Sequence, residues 1–383
     1  LAPVANPGKI IGAPINYAEV SRLVRASREL TPRCHDFHGL VAEGGDQVLR
    51  GLVAPGDTVI CTTGPWAHLY HYWRERAGLD FRIIRDARTT AWTPYLAQEW
   101  LAAPLRRAGD CLILPSEFAR AFYRRLFPHL AAGDTCVLYP LAAHLPAAGE
   151  DRGAPTGVLR IGCLGRIADD KNTGAALELL RAVQAHRPAE LHLAGAFYPR
   201  GRELTSPTDL RATAARLGID PARVIYHGDL PYQHIWRFLG GLDVLYFPAV
   251  SSNESFGRVL LEAGRAGVPV VATDYAAAGE LVPRENLVGV RYRQLAGARI
   301  TQPIALGAPD TAAAAAIVAE GPRAVDRSQD HRFSAAAFLD LIRDGRHPAA
   351  PVFAPTPGSA RFLAGLSIPG LEPPDRQAAL SLC

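Results

Sequence analysis

Short runs of β-branched and aliphatic residues recur along the chain with amphipathic stretches between them, and this alternation limits the fold more than any other feature. Strands that alternate with helices build parallel sheets, because each helix crosses back over the sheet before the next strand begins. In the first half, Lys9–Gly12, Thr58–Cys61, Phe81–Ile84, Cys111–Leu114 and Cys136–Tyr139 read as strands, with helices over Ala18–Leu30, Trp66–Ala77 and Glu117–Leu126. The second half repeats the pattern, with strands at Leu159–Leu164, Glu190–Ala194, Val224–His227, Asp243–Phe247 and Pro269–Ala272 and a helix over Ala175–Val183. Leu145–Gly157 has Pro, Gly and Ala but no periodicity, as a linker would. The expected organisation is therefore an α/β domain over 1–147, a second over 158–330, and a C-terminal piece over 331–383. That piece starts with a helix at Phe333–Ile342 and ends in a proline-rich tail from His347, expected to be extended or disordered. Two such halves leave a cleft between their strand carboxyl ends, where open parallel sheets bind ligands.

Composition excludes several classes. The 383 residues carry a net charge of only +4, dispersed along the chain, which argues against a nucleic-acid partner. The six cysteines form no C-x-x-C and have no paired histidines nearby, so neither structural zinc nor a disulfide framework is expected. No window holds the roughly 18 apolar residues of a membrane span. The first residues show no basic stretch leading into an apolar one, so a cytoplasmic location is expected.

Two segments carry the polar chemistry. The first runs Ile161-Gly-Cys-Leu-Gly165-Arg166-Ile-Ala-Asp-Asp-Lys171-Asn172, a strand, a glycine turn and two cations near a helix start. Such a set suits a diphosphate, with Arg166 forking onto oxygens and Lys171 acting as a point charge. The alternative is a pair of solvated surface cations. Lysine occurs only at Lys9 and Lys171, in a chain with 41 Lys and Arg together, so a lysine at this place calls for a reason. The G-x-G-x-x-G spacing of a dinucleotide fold is missing.

The second segment places the loop Ser251-Ser-Asn-Glu254-Ser255-Phe256-Gly257 between a buried strand and a helix from Arg258. Backbone amides at a helix start attract an anion, whereas a carboxylate there repels one. Glu254 makes sense if it accepts hydrogen bonds from a neutral polyol lying beside the anion. Glu262 lies in the apolar helix that follows, either paired with Arg258 at i,i+4 or turned to a ligand.

Glu254-Ser-Phe-Gly-Arg-Val-Leu-Leu-Glu262, followed by Ala263-Gly-Arg-Ala-Gly-Val-Pro-Val-Val-Ala-Thr273 and preceded by Gly165-Arg166 and Lys171, resembles the E-x7-E motif of retaining glycosyltransferases of family 4. The resemblance implies the GT-B fold, two Rossmann-like domains facing each other across a cleft. It also implies a hexosyltransferase-type enzyme that uses a nucleotide diphosphate sugar as co-substrate, a hydroxyl acceptor, and no cofactor or metal. By the same resemblance, Glu254 contacts donor-sugar hydroxyls and Glu262 the ribose. The amides of Ser255, Phe256 and Gly257 reach sugar and phosphate, and Arg166 and Lys171, beside Gly165, hold the diphosphate as it leaves. No Asp-x-Asp occurs in the sequence, and two fixed cations take the place of a metal clamp.

The first half resembles the family only in layout. Where members carry a Gly-Gly loop, this chain has Pro14-Ile15-Asn16, which makes Asn16 the candidate contact to the donor phosphate. Asp86 and Arg88 stand where many members carry a histidine, and with Trp92, whose ring can stack on a sugar face, they are the candidate acceptor contacts. Most of the other aromatics between Trp66 and Trp100 are expected to fill the core. Phe118–Leu130 combines apolar and arginine faces; a core-packed helix is the commoner use of that pattern, and peripheral membrane docking the rarer one. The rival functions are a sugar phosphorylase or sugar-phosphate synthase on the same fold, and an inactive nucleotide-sugar binding protein.

Overall fold

The computed structural model describes residues 4–5, 34–35, 37–61, 66–87, 89–90, 95–130, 132–140, 157–198, 204–293, 304–326, 335–345, 354–366 and 372–382. The expected strand Lys9–Gly12, helix Ala18–Leu30 and linker Leu145–Gly157, save Gly157 itself, lie outside them. The chain divides into two units, one of Leu1–Ala143, His331–Phe353 and Leu366–Cys383, the other of His144–Asp330 and Ala354–Gly365.

The first unit holds a parallel sheet of β1 (Val4–Ala5), β2 (Cys34–His35), β3 (Asp57–Cys61), β4 (Phe81–Asp86), β5 (Cys111–Leu114) and β6 (Thr135–Val137), in the order β2-β1-β3-β4-β5-β6. Its central strands are apolar on both faces, as strands covered by helices on both sides must be. One face packs Ile60, Ile84 and Ile113 against Phe338, Leu341 and Ile342 of the late helix Ala335–Asp344. The other packs Val59 and Ile83 against Tyr70 and Trp73 of the helix His68–Ala77, so these two aromatics are core residues. Helix Glu117–Leu126 starts where Ser116 Oγ accepts the Ala119 amide at 3.0 Å, and Arg124 and Arg125 sit favourably at its carboxyl end. Phe118, Phe122, Leu126 and Phe127 are all buried, so the apolar face that could have entered a bilayer is taken up by the core. Among the described residues no helix is long and apolar enough to cross a membrane.

A buried ion pair braces this unit. Arg74 binds Asp110 through both terminal nitrogens at 2.7 and 2.8 Å and donates to the carbonyls of Phe81 and Leu105. Asp110 also accepts the amides of Ile83 and Arg107, each at 2.9 Å, and this set of partners holds its carboxyl below the usual range against the cost of burial. Burial pushes His71, 3.5 Å away, down to about 3, so it stays neutral.

The second unit holds β7 (Leu159–Leu164), β8 (Ala189–Ala194), β9 (Val224–Tyr226), β10 (Val244–Phe247), β11 (Val270–Thr273) and β12 (Leu287–Val288), in the order β12-β11-β10-β7-β8-β9, all parallel. This is the doubly wound Rossmann order. A hairpin of β13 (Val290–Tyr292) and β14 (Gly307–Pro309) follows.

The proline-rich tail departs from expectation. Instead of running extended, its described residues form helices at Pro357–Gly365 and Arg376–Leu382. Pro357 is the first residue of its helix, where a missing N–H breaks no bond, and Asp375 caps the second by accepting the Ala378 amide at 2.7 Å.

Asp110→Ala leaves the fully buried Arg74 charge with the Glu75 carboxylate, 3.9 Å from its Nε, in place of its bidentate partner, and unfolding in urea should show a loss of about 3–5 kcal/mol. A loss below about 1 kcal/mol, the range of exposed pairs, would show that the pair does not brace the unit.

Candidate active site

From β7 the second sheet continues to β8 and β9 on one side, and from β10 to β11 and β12 on the other. Loops that leave such neighbours diverge, and a crevice opens beyond their carboxyl ends. Both polar segments lie there, Gly165–Lys171 after β7 and Ser251–Gly257 after β10. They border a cavity of about 500 Å³ whose lining includes Gly165, Arg166, Lys171, Glu254, Gly257 and Glu262.

The floor depends on two glycine turns. Gly165 has φ +134° and Gly195, after β8, has φ +136°. A Cβ on Gly195 would lie 2.0 Å from the Gly165 carbonyl oxygen, so only glycine lets the two turns meet.

Above the floor, side chains tie the two loops together. Arg166 Nη2 donates to Asp170 Oδ2 at 2.9 Å, and Ser251 Oγ donates to the same oxygen at 2.6 Å. Asp170 is 2% exposed, so these partners replace water as the balance to its charge. Asn172, in the left-handed region at φ +50°, donates its amide to the carbonyls of Pro248 at 3.0 Å and Gly307 at 3.1 Å. The Arg166 guanidinium also lies over the Tyr198 ring, 4.7 Å from its centre, and its buried Nη1 has no acceptor among the described residues. A buried donor left unmade is costly, and an anionic oxygen in the cavity would satisfy it.

Lys171 Nζ meets Glu254 Oε2 at 2.7 Å, and the Phe256 amide donates to Glu254 Oε1 at 3.3 Å. This pairing accounts for the carboxylate in an amide-rich loop, since Lys171 neutralises it. Glu262 pairs with Arg258 at 3.3 Å and also lines the cavity while 6% exposed. Burial raises its pKa, against the opposing effect of Arg258. Ser255 and Phe256 are buried in the loop between these residues.

Sequence reasoning did not single out Asp170, Ser251 or Asn172 as loop ties, nor Asp229 and Arg258 as lining residues. Asp170 and Ser251 are 81 residues apart, and only the strand order brings them together. In the first unit Asp86 ends β4 and is 3% exposed, and its neighbour Arg85 pairs with Glu99, which also binds Arg106 at 2.9 Å. Asn16, Arg88 and Trp92 lie outside the described residues. Trp66, not chosen as a contact, stands 49% exposed beyond β3. Among the described residues no three His, Cys, Asp or Glu side chains come together in a group that could hold a metal.

Residues 158–298 match the family model described as glycosyl transferases group 1. The chain is 38% identical over 98 residues to the D-inositol 3-phosphate glycosyltransferase of Corynebacterium kroppenstedtii, covering 24% of this chain and 21% of that protein. It is 33% identical over 122 residues to the lipopolysaccharide core biosynthesis mannosyltransferase LpsB of Rhizobium meliloti, covering 32% of this chain and 33% of that protein. These matches thus span a third or less of those relatives. Among solved structures, Anabaena Alr3699/HepE in complex with UDP superposes with a TM-score of 0.56 at 15% identity, over 84% of this chain and 95% of that one. The apo lipopolysaccharide outer core galactosyltransferase WaaB gives 0.51 at 16%, over 74% and 83%. The fold is GT-B, built of two Rossmann-like units.

The raised pKa of Glu262 means that protonation favours the folded state. Its contribution is fully present below the unfolded carboxyl pKa and is lost as pH rises through the folded one. Glu262→Gln should therefore melt higher than wild type at neutral pH, with the difference vanishing in acid. Melting curves across pH check this, and equal midpoints throughout would show that the buried carboxylate carries no such cost.

Proposed function

We propose that the protein is a retaining glycosyltransferase that moves a sugar from a nucleotide diphosphate sugar to a hydroxyl acceptor without a metal. The observation that carries this reading is the Lys171–Glu254 pair beside Arg166 in one cavity at the sheet's switch point. A cation and a carboxylate in contact suit a ligand that is anionic at one end and hydroxyl-rich at the other. Diphosphate oxygens take Arg166 Nη1 and Lys171, and sugar hydroxyls donate to Glu254. Glu262 accepts from the ribose, and the apolar side chains of Leu193, Leu230 and Ile235 on the same cavity suit a flat base.

In the reaction the bond from the anomeric carbon to the phosphate oxygen breaks and the acceptor oxygen bonds to that carbon on the same face. The acceptor proton passes to the departing phosphate. Arg166 and Lys171 stabilise the charge that develops on the diphosphate, so no enzymatic nucleophile and no bound cation is required. HepE, whose structure holds UDP, and the sugar-transferring relatives support this class of donor. A phosphate or phosphosugar acceptor would need free basic groups in the first unit, and Arg85 there is engaged by Glu99. Acceptor contacts by Asp86, Arg88 and Trp92, donor contact by Asn16, and a cytoplasmic location belong to the same proposal.

Calorimetric titration with UDP, GDP, dTDP and ADP should find one nucleotide that binds, unaffected by EDTA. Binding of none of them would remove the donor-site assignments as a set. Lys171→Ala should slow transfer by roughly 10²–10³-fold, the effect of deleting one electrostatic stabiliser, and steady-state kinetics with unchanged kcat would take Lys171 out of the reaction.

A further inference from the structure

Residues Ala354–Gly365 belong to the second unit, although the stretches on either side of them belong to the first. Their hold is on the loop that leaves β11. Asp274 accepts the Gly358 amide at 2.7 Å and the Thr356 hydroxyl, and so caps the helix Pro357–Gly365 from outside its own segment. Ser359 Oγ donates to the Ala276 carbonyl at 3.4 Å, and the Tyr292 hydroxyl donates to that of Gly358 at 3.0 Å. The Phe362 ring meets Tyr275 edge-on at 5.2 Å and Tyr292 at 5.6 Å. Two glycines allow the close approach. A Cβ on Gly358 would lie 2.2 Å from the Asp274 carbonyl oxygen, and one on Gly279 would lie 2.4 Å from Thr356 Cγ2.

The loop held in this way is strained. Ala276 has φ +53°, a region in which a Cβ is disfavoured and which persists only where the surroundings impose it. Contacts to Asp274, Tyr275 and Ala276 supply that imposition. The other end of the loop leads to the cavity. β11 pairs with β10 through Ala272 and Phe247, and Thr273 Oγ1 donates to the Ala249 carbonyl at 2.8 Å, just before the segment that carries Glu254. Tyr275 is buried and lies within the field of Glu254, which adds to burial and to Tyr292 in raising its hydroxyl pKa.

We propose that residues 354–365 are a positioning strap for the sugar-binding end of the cavity: docked on the loop after β11, they hold the Tyr275 turn, and through Thr273 the Glu254 segment, in the geometry that binds the donor sugar. This rests on the donor-site reading above. Asp274, Gly358 and Phe362 are then positioning residues that need not touch the ligand.

The test compares the full chain with Gly358→Ala and Phe362→Ala. Alanine favours a helix over glycine, so any loss in Gly358→Ala comes from the contact with Asp274 and not from the helix. UDP-glucose, GDP-mannose, dTDP-glucose and ADP-glucose are each titrated beside the matching nucleoside diphosphate. Both variants should bind the nucleoside diphosphate as wild type does and the sugar nucleotide about tenfold more weakly, a coupling of ordinary size. Wild-type affinity for the sugar nucleotide in both variants would overturn the strap, as would equal loss of both ligands, which is what general loosening of the unit produces. A wild type that binds none of these ligands removes the donor site, and the strap's role with it.

Discussion

Asp170 accepts hydrogen bonds from Arg166 and from Ser251 on one buried oxygen, and the layout of the cavity depends on that junction. The loops after β7 and β10 diverge because the two paired, parallel strands connect to opposite sides of the sheet, so beyond their last paired residues the ladder no longer holds the chain together. A carboxylate shielded from water cannot exchange its partners for solvent cheaply, and it therefore fixes both loops at once. Asn172 adds a second tie through Pro248 and Gly307. With the loops fixed, Lys171 reaches Glu254, and the guanidinium of Arg166 is stacked on Tyr198 with one nitrogen unmatched among the described residues. That is a preorganised arrangement in which the cost of assembling the charges is met by the fold before any ligand arrives.

What the sequence disclosed follows from how local each signal is. Leu159–Leu164, Cys111–Leu114 and Glu117–Leu126 have the limits expected of them, because apolar runs there end at glycine, a capping serine or a charged turn. The two polar segments of the cavity were legible because each is contiguous. The junction at Asp170 was not, since its partner lies 81 residues on and an aspartate beside a lysine looks like any solvated turn. The ion pair of Arg74 with Asp110 was hidden for the same reason. Among the aromatics between Trp66 and Trp100, Tyr70 and Trp73 fill the core as expected of most of them, while Trp66 stays in solvent.

The tail shows a different limit. Its prolines read as breakers, yet Pro357 stands at a helix start, where it interrupts nothing, and the apolar residue that matters, Phe362, packs on a turn far back in the sequence. In the loop Tyr275-Ala-Ala-Ala-Gly279 after β11, Ala276 holds a backbone conformation that suits glycine.

The late helix Ala335–Asp344 sets an order of events during synthesis. Phe338, Leu341 and Ile342 seal one face of the first sheet against Ile60, Ile84 and Ile113. The ribosome delivers them only after every strand of the second sheet has been made. The patch of the first sheet around Ile60, Ile84 and Ile113 must therefore wait for its late partners, while the second sheet, whose strands all arrive before its last helix, can form in the interval.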